Sequence, residues 1–342
     1  SKTPAVIDRT KAFVEDAENW FAFINLMDAH LPYHPPEEFA AEFAPGVDST
    51  AVCQNSKEYN SGARDIDEEE WDAIRNLYDA EIAHIDAQLT RLFDWLKAED
   101  EWENTTVIVA ADHGELHGEH DLYGHEFCLY DPLVNVPLMV KHPALDAGRR
   151  TDTVELVDLY HTVLDALNVE GGDPAKPGET AVSRDPTRSL LSADYRAFDA
   201  APDPDAGQAA APAGDYGFVE YSRPVVELKQ LEEKASAAGI DLPEDSRFYS
   251  RMRAARRPDA KYVRIDRIDD EAYRLDRDPG EATDLAGGDD DAIHDVERVL
   301  ADFETRVGGA WTGATDADVT DDAVADMDDE AQERLRDLGY LE

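Results

Sequence analysis

Apolar and polar positions along the chain fall into strand-like and helix-like stretches that alternate. Trp20–Met27 reads WFAFINLM, a nearly unbroken apolar run too short for a lone helix, and predicts a central strand buried on both faces. Residues 28–36 follow with Pro32, Pro35 and Pro36, which forbid a regular helix and predict an ordered loop. A long helix is predicted from Asp67, where Asp67 and Glu70 resemble a capping box. Its apolar stripe, Trp71, Ile74, Tyr78, Ile82, Ile85, Leu89, Leu92 and Leu96, recurs in steps of three and four and would lie against a sheet. Thr105–Ala111 and Val136–Val140 predict two further strands, and Thr153–Leu167 a second amphipathic helix with Asp152 and Glu155 at its start.

Strand and helix alternation of this kind predicts an α/β domain with a mainly parallel sheet flanked by helices. Function in such folds gathers in loops beyond the carboxyl ends of strands, where His30 and the pair Asp112–His113 both fall. Residues 199–215 are rich in Ala, Pro, Asp and Gly and read as a flexible linker or insertion. Beyond it, Tyr216–Tyr221, Ala260–Ile265 and Ala272–Leu275, the last followed by a turn at 276–280, predict a smaller antiparallel α+β subdomain over 216–310. Residues 311–342 form an acidic tail with a short helix expected near 330–338, and no internal repeat is present.

Composition sharpens this picture. Asp and Glu total 78 against 32 Lys and Arg, a net charge of −46. Such a surface repels nucleic-acid phosphates and anionic membranes, so neither is an expected partner. The Lys-poor, Asp-rich balance resembles haloarchaeal proteins and predicts a fold adapted to molar salt, where the screening length shrinks to about 3 Å. No apolar run is long enough to predict insertion into a membrane. The two cysteines, Cys53 and Cys128, form no close pair and no metal-spaced cluster, which makes a cytoplasmic, disulfide-free protein the default expectation.

The candidate chemistry lies in two loops. Asp112 and His113 end a predicted strand at Gly114, an oxygen and a nitrogen donor able to turn toward one divalent ion. Around them, residues 112–130 read DHGELHGEHDLYGHEFCLY, so His113, His117, His120 and His125 cluster, as histidines do where metal or anions are bound. Glu115, Glu119, Asp121 and Glu126 are expected to be solvated or to orient those histidines. His30, in its proline-braced loop, is placed to hydrogen-bond an anionic substrate, with His34 at the rim. Neither cysteine has a neighbouring base, which argues against a thiolate nucleophile. Arg251, Arg253, Arg256 and Arg257 form a basic run expected to pair with local carboxylates or, as the alternative, to draw in an anionic substrate.

The order of these pieces resembles the sulfatases of the alkaline phosphatase superfamily. The pieces are FINLMDAHLPY at 23–33, TVIVAADHGE at 106–115, YGHEFCLY at 123–130 before Val136-Pro137-Leu138, and EAYRLDRDPGE at 271–281 with Asp284-Leu285, preceded by Lys261-Tyr262-Val263. The resemblance implies an alkaline-phosphatase-like α/β fold, of which residues 1–198 would be the C-terminal portion of the catalytic domain. It implies that Asp112 and His113 are metal ligands, that His30 contacts the sulfate and helps the leaving oxygen, and that His125 also contacts the sulfate. The implied cofactor is a divalent cation, Ca²⁺ first, with Mg²⁺ or Mn²⁺ open because His113 stands where an amide ligand is commoner.

One departure matters. The family's nucleophile, a Cys or Ser oxidised to formylglycine in a Cys/Ser-x-Pro-x-Arg motif, is not found; Cys53 and Cys128 both lack the Pro and Arg. The expectation is therefore a sulfatase-like hydrolase of small-molecule or glycan sulfate esters, here lacking its N-terminal nucleophile segment and inactive alone. Two alternatives stand beside it. One is a phosphomonoester, phosphodiester or phosphonate hydrolase, or a phosphoglycerol transferase, of the same superfamily. The other is a non-catalytic remnant or anion-binding module.

Overall fold

A computed structural model of the protein describes residues 1–169, 184–193, 195 and 216–307. The predicted insertion at 199–215 and the tail at 311–342 lie outside the described residues. Four helices come first: α1 (Thr3–Glu15), α2 (Glu37–Phe43), α3 (Ser56–Asn60) and α4 (Glu68–Ala98). Then follow β1 (Val107–Ala110), a two-residue hairpin of β2 (Leu116–His117) and β3 (Tyr123–Gly124), α5 (Asp131–Val134), β4 (Leu138–Lys141) and α6 (Asp158–Ala166). The C-terminal part holds β5 (Gly217–Tyr221), α7 (Val225–Ala238), β6 (Met252–Arg257), β7 (Ala260–Ile265), β8 (Glu271–Tyr273) and α8 (Asp291–Arg306).

Helix α4 starts as its sequence predicts. The Asp67 carboxylate accepts from the Glu70 amide at 2.9 Å, satisfying one of the helix's otherwise unpaired N–H groups. The Glu70 side chain does not complete a capping box; it accepts instead from the Cys53 amide at 2.6 Å. The buried face departs from the predicted stripe in the middle of the helix. Trp71, Ile74, Leu92 and Leu96 are buried, but Ile82 is exposed and Glu81 and His84 are buried in its place. The polar Glu81 is drawn inward because backbone amides of the 28–34 loop need acceptors there.

The α/β assignment holds, with a difference in the sheets. Among the described residues every strand pairing is antiparallel, where the sequence predicts a mainly parallel sheet. β1 pairs with β4, from Val107 opposite Lys141 to Ala110 opposite Leu138. Residues 111–137, which join them, fold back through the β2–β3 hairpin and one helical turn and bring β4 beside β1 in the opposite direction. Trp20–Met27, predicted as a central strand, pairs with no described strand. It still alternates in burial as a strand does: Trp20 and Ile24 pack toward Ile7, Leu92 and Leu96, while Phe21, Phe23 and Met27 face out. The second helix begins later than expected, because the Asp158 carboxylate turns back to accept from the Glu155 amide at 2.9 Å.

The C-terminal sheet is antiparallel, in the order β5-β6-β7-β8. Its central strand β6 is not evident from sequence, since MRAARR reads as a basic run. Ala254 and Ala255 are fully buried there, while the arginines reach carboxylates. Helix α8 seals one face through Ile293, Val296, Leu300 and Phe303 against Ala255, Ala260, Tyr262 and Ala272. No helix of the described residues is long and apolar enough to cross a membrane.

Candidate functional site

The 111–131 segment is pinned to the rest of the molecule at both ends. At its start, Gly114 donates its amide to the Leu133 carbonyl at 2.9 Å. A Cβ at this position would lie 1.9 Å from the Pro132 carbonyl oxygen, so only glycine allows the approach. At its end, the Lys261 ammonium, 0% exposed, donates to the Leu129 carbonyl at 2.9 Å and to Asp131 at 3.0 Å, and pairs with buried Glu281. Arg256 also pairs with Asp131 at 2.9 Å. Although burial favours the neutral acid, these two cations hold the Asp131 carboxyl below its usual range.

Within this frame three of the predicted histidines come together. The His113 and His125 rings stack with centroids 4.3 Å apart, and the His125 and His30 rings lie 5.4 Å apart. His125 Nδ1 is 3.1 Å from the Glu115 carboxylate. Burial disfavours the His125 imidazolium, but the Glu115 hydrogen bond and the charges of Glu126 and Glu115 outweigh it and hold this group above the usual histidine range. His30 Nδ1 lies 2.6 Å from the Leu31 carbonyl, which can only accept. Nδ1 therefore carries the proton and Nε2 is left for a ligand.

A cavity of about 180 Å³ opens beside His30 and His125, lined also by Gln54, Lys57, Glu227 and Gln230. The Lys57 ammonium pairs with the buried Glu126 carboxylate. The other two clustered histidines turn away. His117 is buried among Tyr33, Tyr78 and Tyr123, with its Nε2 3.0 Å from the Tyr33 hydroxyl, and burial pushes its pKa down. His120 stacks flat on Tyr130, with centroids 3.5 Å apart. His34 sits aside, 3.0 Å from the Ser49 hydroxyl.

Asp112 and His113 face outward. Asp112 Oδ1 accepts from the His113 amide at 3.0 Å, and Oδ2 lies 3.9 Å from His113 Nε2. His113 Nδ1 is 2.9 Å from the Gly114 carbonyl, which leaves Nε2 as a lone-pair donor. One hard oxygen and one imidazole nitrogen this close fit two positions around a single divalent cation. Among the described residues no group of three or more His, Cys, Asp or Glu side chains forms a complete metal site.

The cysteines are both unpaired and buried. Burial raises both thiols, Cys128 to about 12, which disfavours the thiolate form. The basic run pairs with carboxylates: Arg251 with Asp266, Arg253 with Glu220, Arg256 with Asp131 and Arg257 with Asp295. A wider hollow of about 730 Å³ lies at Arg257, Arg274 and residues 289–292, far from the histidines in chemistry. Its arginines are already bound to Asp259, Asp290 and Asp295.

Sequence reasoning missed Gln54, Lys57, Glu81, Glu227 and Gln230. Each is a polar residue in a helical or loop stretch with no motif around it. The one available signal was Glu81, which occupies a face that would otherwise be apolar.

The Sulfatase family model matches residues 2–169. Arylsulfatase K of Canis lupus familiaris is 37% identical over 93 residues, 27% of this chain and 17% of that protein. The human Arylsulfatase K is 36% identical over 97 residues, 28% of this chain and 18% of that protein. Among solved structures, the phosphonate monoester hydrolase of Agrobacterium radiobacter is 21% identical, with a TM-score of 0.61 over 90% of this chain and 60% of that one. A 2-O GAG sulfatase is 18% identical, with a TM-score of 0.50 over 89% of this chain and 57% of that one. These structural likenesses show a shared α/β fold. The chain spans less than two thirds of these solved relatives, and the stretches matched in the curated relatives are far shorter.

Proposed function

We propose that this chain, whose residues 2–169 match the Sulfatase family model, belongs to that family and that its histidine site serves the hydrolysis of sulfate monoesters. The observation that carries the proposal is the ring contact of His30, His125 and His113 beside Asp112. A sulfate ester brings negative oxygens that need cationic partners, and an alcohol that leaves more easily with a proton.

The roles follow from the geometry. His125, favoured as imidazolium by Glu115, would bind ester oxygens through Nε2. His30, its ring fixed through the Nδ1–H, would turn Nε2 toward the leaving alcohol and, when doubly protonated as the imidazolium, give its Nε2 proton to that oxygen. Asp112 and His113 would hold a divalent cation, Ca²⁺ first and Mg²⁺ or Mn²⁺ next, which when bound neutralises oxyanion charge. The polar cavity wall, Gln54, Asn55, Ser56, Glu227 and Gln230, favours an alcohol rich in hydroxyls, such as a sugar, over an apolar one.

The nucleophile and the remaining ligands would come from sequence outside these residues. Two observations support this: both thiols are raised by burial, and the large apolar side chains of Phe21, Phe23 and Met139 are exposed. The 342 residues alone are then expected to be inactive. The acidic balance adds the proposal of a protein that folds best in molar salt, with an unfolding midpoint that rises with NaCl.

A second reading, a phosphoester or phosphonate hydrolase or a phosphoglycerol transferase, is favoured by the phosphonate monoester hydrolase fold match. The test is the ratio of kcat/KM for aryl sulfate, aryl phosphate and aryl phosphonate in the protein at its native length. Preference for sulfate, lost in His30→Ala and His125→Ala, supports the proposal. Preference for a phosphorus ester selects the second reading. No turnover of any, with anion binding intact, selects a binding module.

A further inference from the structure

Helix α4 carries a carboxylate where its apolar stripe would otherwise continue. Glu81 is buried, and its two oxygens accept from two backbone amides: Ala29 at 2.6 Å and His34 at 2.7 Å. Those amides bracket residues 30–33, so the carboxylate spans the loop that carries His30. The loop is not a relaxed one. Ala29 has φ +68°, in the left-handed region that a residue with a Cβ rarely adopts.

A second side chain holds the same segment. Gln54 accepts from the Tyr33 amide and donates through Nε2 to the Tyr33 carbonyl at 2.9 Å and the Ser49 carbonyl at 2.8 Å. Gln54 also lines the cavity with His30. Between these clamps, His30 spends its Nδ1 proton on the Leu31 carbonyl, so its ring orientation depends on the backbone of the loop.

Charge matters at Glu81. A carboxylate can accept from both amides at once; an amide side chain would set its NH₂ against one of the two N–H groups. Burial opposes that charge and pushes the group up to about 7, although both amide hydrogen bonds pull it back down.

We propose that Glu81 is a positioning residue for His30: its ionised carboxylate fixes the 29–34 backbone, and through Leu31 O the tautomer and orientation of the His30 ring. The catalytic consequence rests on the reading of His30 as the proton donor, but the clamp itself does not.

The test is the long-range ¹H–¹⁵N spectrum of the histidine rings in the protein at its native length, for wild type, Glu81→Gln and the control Glu70→Gln. Glu70 is a matched control on the same helix, since it also accepts from a loop amide, that of Cys53. The expected wild-type His30 pattern is that of the Nδ1–H tautomer. In Glu81→Gln the His30 signals move toward the average of the two tautomers, while His117 stays in place. In Glu70→Gln His30 does not move. An unmoved His30 in Glu81→Gln, or an equal shift in both variants, overturns the proposal. If Glu81→Gln fails to fold, Glu81→Asp, which keeps the charge but falls short of one amide, decides by the same signals. Misplacing the ring should also lower kcat by up to about 100-fold with a smaller change in KM. Activity that survives His30→Ala would remove the functional reading and leave the clamp standing.

Discussion

β1 and β4 lie side by side with Phe21, Phe23 and Met139 open to solvent, whereas β5–β8 are sealed beneath α8. Phe23 is 86% exposed; Leu300 and Ala255, at the centre of the other sheet, are fully buried. The chemistry sits on the open side: Asp112 and His113 leave β1, and His30 leaves the unpaired 20–27 segment. The closed side carries none of the candidate histidines and instead anchors the histidine loop at Asp131 through Lys261, with Glu281 paired to the same ammonium. Of the described residues, one part is thus a sealed scaffold, and the other leaves large apolar side chains exposed.

The largest effect should come from the anchor. Lys261→Met leaves Glu281 buried without its cation and Asp131 with Arg256 alone, and should cost about 3–5 kcal/mol, read as a lower urea midpoint. A loss under about 1 kcal/mol would mean that the scaffold does not depend on this cluster. A smaller effect concerns pH. Burial lowers the His117 pKa below its unfolded value of 6.5, so the unfolded chain binds the proton more readily. Stability from this group is complete above pH 6.5 and declines as pH falls toward the folded value. Stability measured from pH 7.5 to 5.5 should therefore fall less steeply in His117→Gln than in wild type; parallel curves would remove His117 from the acid response. The smallest effect is at the open face. Phe23→Ser should change the stability of this 342-residue chain by less than about 0.5 kcal/mol. On the proposal that further sequence packs on Phe23, the same substitution in the protein at its native length should cost clearly more. Equal, negligible costs in both would break the comparison.

The legible parts of this molecule were those with strong local grammar. Asp67 announces α4, the apolar runs announce β1 and β4, and the ordered pieces around His30, Asp112, His113 and His125 point to a candidate site in which the rings of His30, His113 and His125 lie close together. The turn after β8 was legible for the same reason. Other features depend on contacts far apart in sequence. Four arginines hide β6 because their carboxylate partners come from Glu220, Asp131, Asp266 and Asp295. The cluster of histidines divides because His117 finds a tyrosine cage and His120 a tyrosine face, and neither partner is coded nearby as such. The strand at 20–27 has the right alternation but no described neighbour to pair with. Glu81 is invisible as a clamp until the 29–34 loop is seen lying over α4.

The central claim is that Asp112, His113, His125 and His30 form a single site for a metal and an oxyanion. Its most direct test is calorimetric titration of Ca²⁺, with sulfate present, into the protein at its native length, for wild type, Asp112→Ala and His113→Ala. The account predicts saturable binding at one site in wild type and its loss in both variants. Because Asp112 is exposed, that loss should come with little change in metal-free stability. Undiminished Ca²⁺ affinity in Asp112→Ala would contradict the assignment of the site.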